Sequence, residues 1–143
     1  MDKQETYILN SILKMIIPPS EDGEMPCATD VDFVSYLSNE DLTSWMVDGL
    51  AKIENESNEL YGCRYTKLQE FEQKKLIDIL RTKLKIFFID LTTHVINCYY
   101  QNDRVLKNIG IEHSPPFPAG FLIEEWDFNL LEPVFERGKI YRV

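Results

Sequence analysis

Glycine, histidine and paired cysteine are scarce in this chain, and each shortage removes a class of function. The six glycines of the 143 residues are isolated. There is no GxGxxG and no P-loop, so neither a dinucleotide nor a nucleoside triphosphate is held by those routes. Three cysteines, Cys27, Cys63 and Cys98, stand far apart. Without CxxC there is no common zinc or redox motif, and an odd, scattered count is no disulfide framework. CxxCH is missing as well, which excludes a covalently attached c-type haem by that motif. Charges interrupt every apolar stretch, so none reaches the roughly 18 residues that a bilayer-spanning helix needs. An acidic half and a low pI argue against binding a phosphate backbone, which needs clustered Lys and Arg, or an anionic membrane surface. The opening MDKQETYILN has no basic n-region, twin Arg or apolar h-region. The predicted location is therefore cytoplasmic, with the periplasm as the alternative if a signal was removed or a partner carries it.

What the chain has in quantity is acid and helical periodicity. The formal net charge is −9. Residues 1–64 hold 13 acids against 4 bases, and residues 65–143 hold 11 of each. The acidic half serves solubility. From Leu76 to Tyr100, Leu76, Leu80, Leu84, Phe87, Leu91, Val95 and Cys98 recur at steps of four and three, the stripe of a long helix. Lys74, Lys75, Asp78, Arg81, Lys83 and Lys85 wet the other face of its first half. In the second half Ile86, Ile89, Ile96 and Tyr100 put apolar groups there as well. A helix apolar almost all round is buried by several neighbours, so this half is predicted to be the central rod of an all-α domain. Cys98 then behaves as a small apolar residue.

The rest of the chain is read around that rod. Ile8, Leu9, Ile12, Leu13, Ile16 and Ile17 predict a first helix over about Lys3 to Ile16, stopped by Pro18-Pro19. SEDGEMP is a polar loop. Asp30 is the expected N-cap of a short helix carrying Val31, Val34 and Leu37. Ser38 or Asn39 caps the next, which carries Leu42, Trp45, Met46, Gly49, Leu50 and Ile53; its polar stretch Asn55 to Asn58 is expected to fray, and Gly62 marks its end. Thr66 with Gln69 fits a capping box before the central helix, unless the cap falls at Gln69 itself. QNDRVLKNIG reads as a turn and a short helix closed by Gly110. The expected architecture is an irregular helical bundle around a long central helix, residues 1–110, with a proline-rich extended arm, residues 111–143, packed on the same domain. In the arm, Pro115, Pro116 and Pro118 enforce an extended path, and Phe117, Phe121, Trp126 and Phe128 are large apolar anchors. One turn of helix around Leu130 and Leu131 is expected to be interrupted by Pro133.

Catalytic constellations are sparse. His94 follows Asp90 by one turn, so the two share a helix face. Half a metal site needs further inward Glu or His on facing helices, and no Glu-x-x-His pair exists. The pair is read as a hydrogen-bonded core pair. His113 sits in the proline loop. The acids of Glu21 to Glu24 do not follow an EF-hand pattern and read as a solvated loop.

Several stretches in order carry a resemblance. An amphipathic helix ends in Ile16-Ile17-Pro18. Glu21-Asp22-Gly23 and Pro26-Cys27-Ala28 lead to Val31-Asp32-Phe33-Val34. Tyr99-Tyr100 closes the central helix, followed by Asp103-Arg104-Val105, Ile109-Gly110, Pro115-Pro116-Phe117-Pro118-Ala119-Gly120-Phe121 and Leu131-Glu132-Pro133-Val134. In this order they resemble the gluconate 2-dehydrogenase subunit 3 family, the small or gamma subunit of flavin-dependent sugar and alcohol dehydrogenases. The resemblance implies a non-catalytic helical subunit with no cofactor of its own. Its implied partner is a large FAD-containing subunit of the glucose-methanol-choline type, in some complexes joined by a cytochrome c subunit. The family often carries a twin-arginine export signal, which this sequence does not show. No catalytic residue is carried over from the family. Pro115, Pro116, Phe117, Pro118, Phe121 and Trp126 are the expected partner-contact residues. The alternative is a helical interaction or regulatory protein with an unrelated partner. On either reading the purified chain is expected to be colourless and free of stoichiometric metal. Elemental analysis finding about one transition metal per chain, lost in His94→Ala, would contradict this.

Overall fold

A computed structural model describes residues 1–111 and 127–138. Among these residues there are seven α-helices, three short 3-10 turns and no strand, so the chain is all-α. It divides into two compact units at residues 113 and 114, each described by itself. The helices of the first unit are α1 (Lys3–Ile16), α2 (Phe33–Asn39), α3 (Thr43–Tyr61), α4 (Glu70–Lys83), α5 (Lys85–Tyr100) and α6 (Asp103–Asn108). The second unit holds a 3-10 turn, Phe128–Leu131, running into α7 (Glu132–Glu136). Pro133 does not interrupt that helix. It stands in the first turn, where its missing N–H would have no intrahelical partner in any case.

Helix α1 begins with a capping box: Asp2 accepts from the Glu5 amide and the Glu5 carboxylate accepts from the Asp2 amide, both at 2.7 Å. It buries Ile8, Leu9, Ile12 and Leu13 and ends before Pro18. Asp30 does not cap α2. Its carboxylate instead accepts from the Cys27 amide (2.9 Å), closing a 3-10 turn over Ala28–Asp30. The α2 cap is Asp32, two residues later, which accepts from the Ser35 amide (3.0 Å) and hydroxyl (2.7 Å). These two donors hold the Asp32 carboxyl below the usual carboxylate range. Neither Ser38 nor Asn39 caps α3. The chain turns through Asp41 at φ 59° and the helix starts at Thr43 after Leu42. Asn55 to Asn58 is helical, because buried Ser57 donates to the Cys63 carbonyl (2.9 Å) and holds the last turns down. Gly62 ends the helix at φ 69°, a conformation that favours glycine. The cap before α4 is Gln69, whose amide donates to Glu72 (2.8 Å).

The run read as one long helix is two. Leu84, at φ −111° and ψ 41°, separates α4 from α5. Neither proline nor glycine stands there, and the buried stripe runs in phase from Leu80 across to Phe88, so periodicity does not reveal the break. The bend falls where Phe87 lies over Gly49 of α3. A β-carbon at Gly49 would come within 2.0 Å of the Phe87 ring. Phe87 in turn stacks at a tilt on Trp45, with ring centroids 5.1 Å apart. Helix α5 packs against α1, α2, α4 and α6.

Gly49→Ala tests this close approach. Helix propensity alone favours alanine by about 1 kcal/mol. Overpacking against Phe87 costs roughly 1–3 kcal/mol, so the melting temperature is expected to fall. In a Phe87→Ala background the same substitution is expected to be neutral or stabilising. Additive effects in the double variant, read by denaturant unfolding, would show that Gly49 and Phe87 do not meet.

Candidate functional site

The expected partner-contact residues Pro115, Pro116, Phe117, Pro118, Phe121 and Trp126 lie outside the described residues, as does His113. The other candidates do not assemble a reaction centre. Asp90 and His94 are not a pair: Asp90 is exposed, and the His94 Nδ1 lies 3.0 Å from the Tyr36 hydroxyl on α2. Trp45 meets the His94 ring edge-on, with centroids 5.7 Å apart. The imidazole thus sits in an aromatic corner between α2, α3 and α5. Sequence reasoning missed Tyr36 because 58 residues separate it from His94. In the Glu21 to Glu24 loop, Asp22 accepts from the Ser20 hydroxyl (2.6 Å) and the Glu24 amide (3.0 Å), which lower its pKa and occupy it within its own turn. Among the described residues no three His, Cys, Asp or Glu side chains come together to hold a metal. Buried Cys27 donates its thiol to the Ile17 carbonyl (3.3 Å). Burial, then the charge of Asp32, pushes the Cys98 thiol up, away from the thiolate that a nucleophile requires.

Two polar features hold the bundle instead. Tyr65 is wholly buried, and its hydroxyl lies 3.0 Å from the Ser11 oxygen. Ser11 donates to the Gln73 Oε1 (3.0 Å), so it accepts from Tyr65. The Gln73 amide nitrogen donates to the Tyr65 and Leu68 carbonyls at 3.3 and 3.2 Å. At another point, the Tyr99 hydroxyl donates to the Pro26 carbonyl (2.8 Å), and Asn108 of α6 donates its side-chain amide to the Glu24 carbonyl.

Exposed apolar side chains line one side of α5. The helix buries Phe88, Leu91, Val95, Cys98 and Tyr99. On its outer side Ile86 is 77 %, Ile89 53 %, Ile96 41 % and Tyr100 51 % exposed. The expectation that this half is covered all round is therefore corrected: among the described residues of the first unit, its packed neighbours cover one side only, and Ile86, Ile89, Ile96 and Tyr100 on the outer side are exposed. The described residues contain no helix long and apolar enough to cross a membrane. Contiguous exposed apolar patches on soluble proteins mark interaction or ligand-binding sites.

Burial pushes the Tyr65 phenol up to about 12. The folded state thus favours the neutral phenol. Its contribution to stability is full below the ordinary tyrosine value near 10 and is lost as pH rises through about 12. Tyr65→Phe is expected to cost about 0.5–1.5 kcal/mol at pH 7 through the lost hydrogen bond. It should also flatten the loss of stability between about pH 10 and 12. Urea unfolding across that range checks both, and an unchanged alkaline slope would rule out Tyr65 as its source. No family model, curated protein or solved structure matches the chain.

Proposed function

We propose that the chain is a small non-catalytic accessory subunit of a flavin-dependent dehydrogenase of the glucose-methanol-choline type, supporting assembly or stability of the large FAD subunit. It carries no cofactor of its own, and the FAD belongs to the partner. The observation that supports this reading is where the resembling stretches meet. Pro26 and Tyr99, from two of those stretches, are joined by the hydrogen bond from the Tyr99 hydroxyl to the Pro26 carbonyl (2.8 Å), and beside two others Asn108 donates to the Glu24 carbonyl. Ala28, Val31, Phe33, Tyr99 and Val105, drawn from the same stretches, are buried in one core. Ile111, hydrogen-bonded to the Leu106 carbonyl (2.9 Å), leads directly from this junction toward the proline run. Proline restricts the free chain, so such a segment loses less entropy on docking than a flexible one.

Co-expression with an FAD-containing dehydrogenase subunit tests the reading. The two are expected to co-purify with stoichiometric flavin. At least one of Phe117→Ala, Phe121→Ala and Trp126→Ala should reduce capture by about tenfold or more while melting nearly as the wild type does. Failure of every such flavoprotein to co-purify would refute the accessory-subunit reading. If all three variants retain the partner, or all three lose much of their melting temperature, the proline-rich segment is not the contact.

A further inference from the structure

The outer stripe of α5 has a spacing that a generic apolar patch lacks. Ile86, Ile89, Thr93, Ile96 and Tyr100 follow steps of three, four, three and four, the a and d positions of two heptads. A strict a/d stripe is the seam by which one helix lies along another, narrower than the face a helix turns to a globular core. Helix α5 carries both: Phe88, Leu91, Val95 and Cys98 face its own core, and the seam lies on the outer side. Thr93 does not break the seam. Its hydroxyl donates to the Ile89 carbonyl one turn back (2.9 Å), leaving its methyl as the group to be packed.

The charges beside the seam select the occupant. Lys85 holds the g position before Ile86, and Asp90 holds the e position after Ile89. Both are exposed, and neither belongs to an ion pair among the described residues. In a parallel helix pair, each g residue faces the e residue of the following heptad on the other helix. A second copy of this chain therefore sets Lys85 against Asp90 of its mate, and two-fold symmetry makes the pair twice. An antiparallel pair faces g with g and e with e, and brings no such match. We propose that α5 is a homotypic interface, through which two copies of the chain pair in parallel along the seam from Ile86 to Tyr100. The exposed seam offers on the order of 400 Å² of apolar surface, about half of what each side of a standard interface buries. The dimer is therefore weak, forming at tens to hundreds of micromolar, on the order of 10⁻⁵–10⁻⁴ M. This inference is independent of the flavoprotein reading.

Sedimentation of the full chain over about 1–300 µM tests it. The wild type is expected to rise from monomer to dimer, and Ile89→Glu to stay monomeric throughout. Lys85→Asp, which sets like charges against each other, should weaken the dimer by about tenfold, and Lys85→Asp with Asp90→Lys should restore it to within about threefold. The altered side chains are exposed, and an unchanged circular dichroism melt confirms that each variant is folded. A wild type monomeric at the highest concentration overturns the proposal, as does a dimer indifferent to Ile89→Glu. A double exchange that fails to recover refutes the parallel pairing. If the wild type is monomeric and Ile89→Glu instead abolishes capture of a flavoprotein, the seam belongs to that partner and a second copy is the wrong occupant.

Discussion

A phenol buried at the meeting point of several helices must keep its hydroxyl paired, and this requirement at Tyr65 fixes how the first unit is assembled. Its hydroxyl reaches Ser11 of α1, and its carbonyl accepts from Gln73 of α4. Its amide donates to Glu54 of α3 (3.1 Å), and the other oxygen of that carboxylate accepts from Gln4 of α1 (2.7 Å). Three helices thus converge on the polar groups of one residue in a short 3-10 turn. An unpaired buried group costs about 1–3 kcal/mol, so a slip of α1 or α4 along its axis breaks several bonds at once. Apolar contacts between Leu, Ile and Met side chains tolerate such slips far better. Burial supplies the driving force, and the Tyr65 network sets the register.

That division explains which parts of the fold are legible in the sequence. The bounds of α1, the stop at Pro18, the glycine ends at Gly62 and Gly110 and the stripe from Leu76 to Cys98 all follow from local rules about period, proline and left-handed glycine. Asp30 and Asp32 are both good caps by type, and only the pull of Asp30 toward the Cys27 amide decides between them. The break at Leu84 leaves the buried period intact, so no counting of positions finds it. The partners of His94 and Tyr99 lie 58 and 73 residues away. A single sequence holds no term that couples positions so remote.

The misreading of α5 has a different cause. Periodicity shows how many faces of a helix are apolar. It does not show how many neighbours the domain can supply. Helix α5 is apolar on two faces, and the first unit covers one of them, with Phe88, Leu91 and Val95 inward and Ile86, Ile89 and Ile96 outward. Two apolar faces are both buried only where a domain supplies neighbours for each, and the described residues of the first unit supply them for one. The steps separate these cases where hydrophobicity cannot. The inward residues at 88, 91, 95 and 98 and the outward ones at 86, 89, 93, 96 and 100 each keep the three-four alternation, on opposite sides of one helix.

On the proposed pairing, such a helix serves stability and association in one element. Its inner face is locked by α1, α2, α4 and α6, so the outer seam is presented already helical, and a partner pays no entropy to order it. A free peptide of the same 16 residues would be a marginal helix in water. The domain removes that cost in advance, which is why a stripe of a few side chains can serve as a specific surface. The same economy applies to the residues beyond Ile111, where proline restricts the chain before any contact is made. Helix α5 is preorganised by packing on its own core, and proline restricts φ by covalent structure in any chain that contains it. On the proposed reading the chain holds another protein, and preorganised surfaces suit that work.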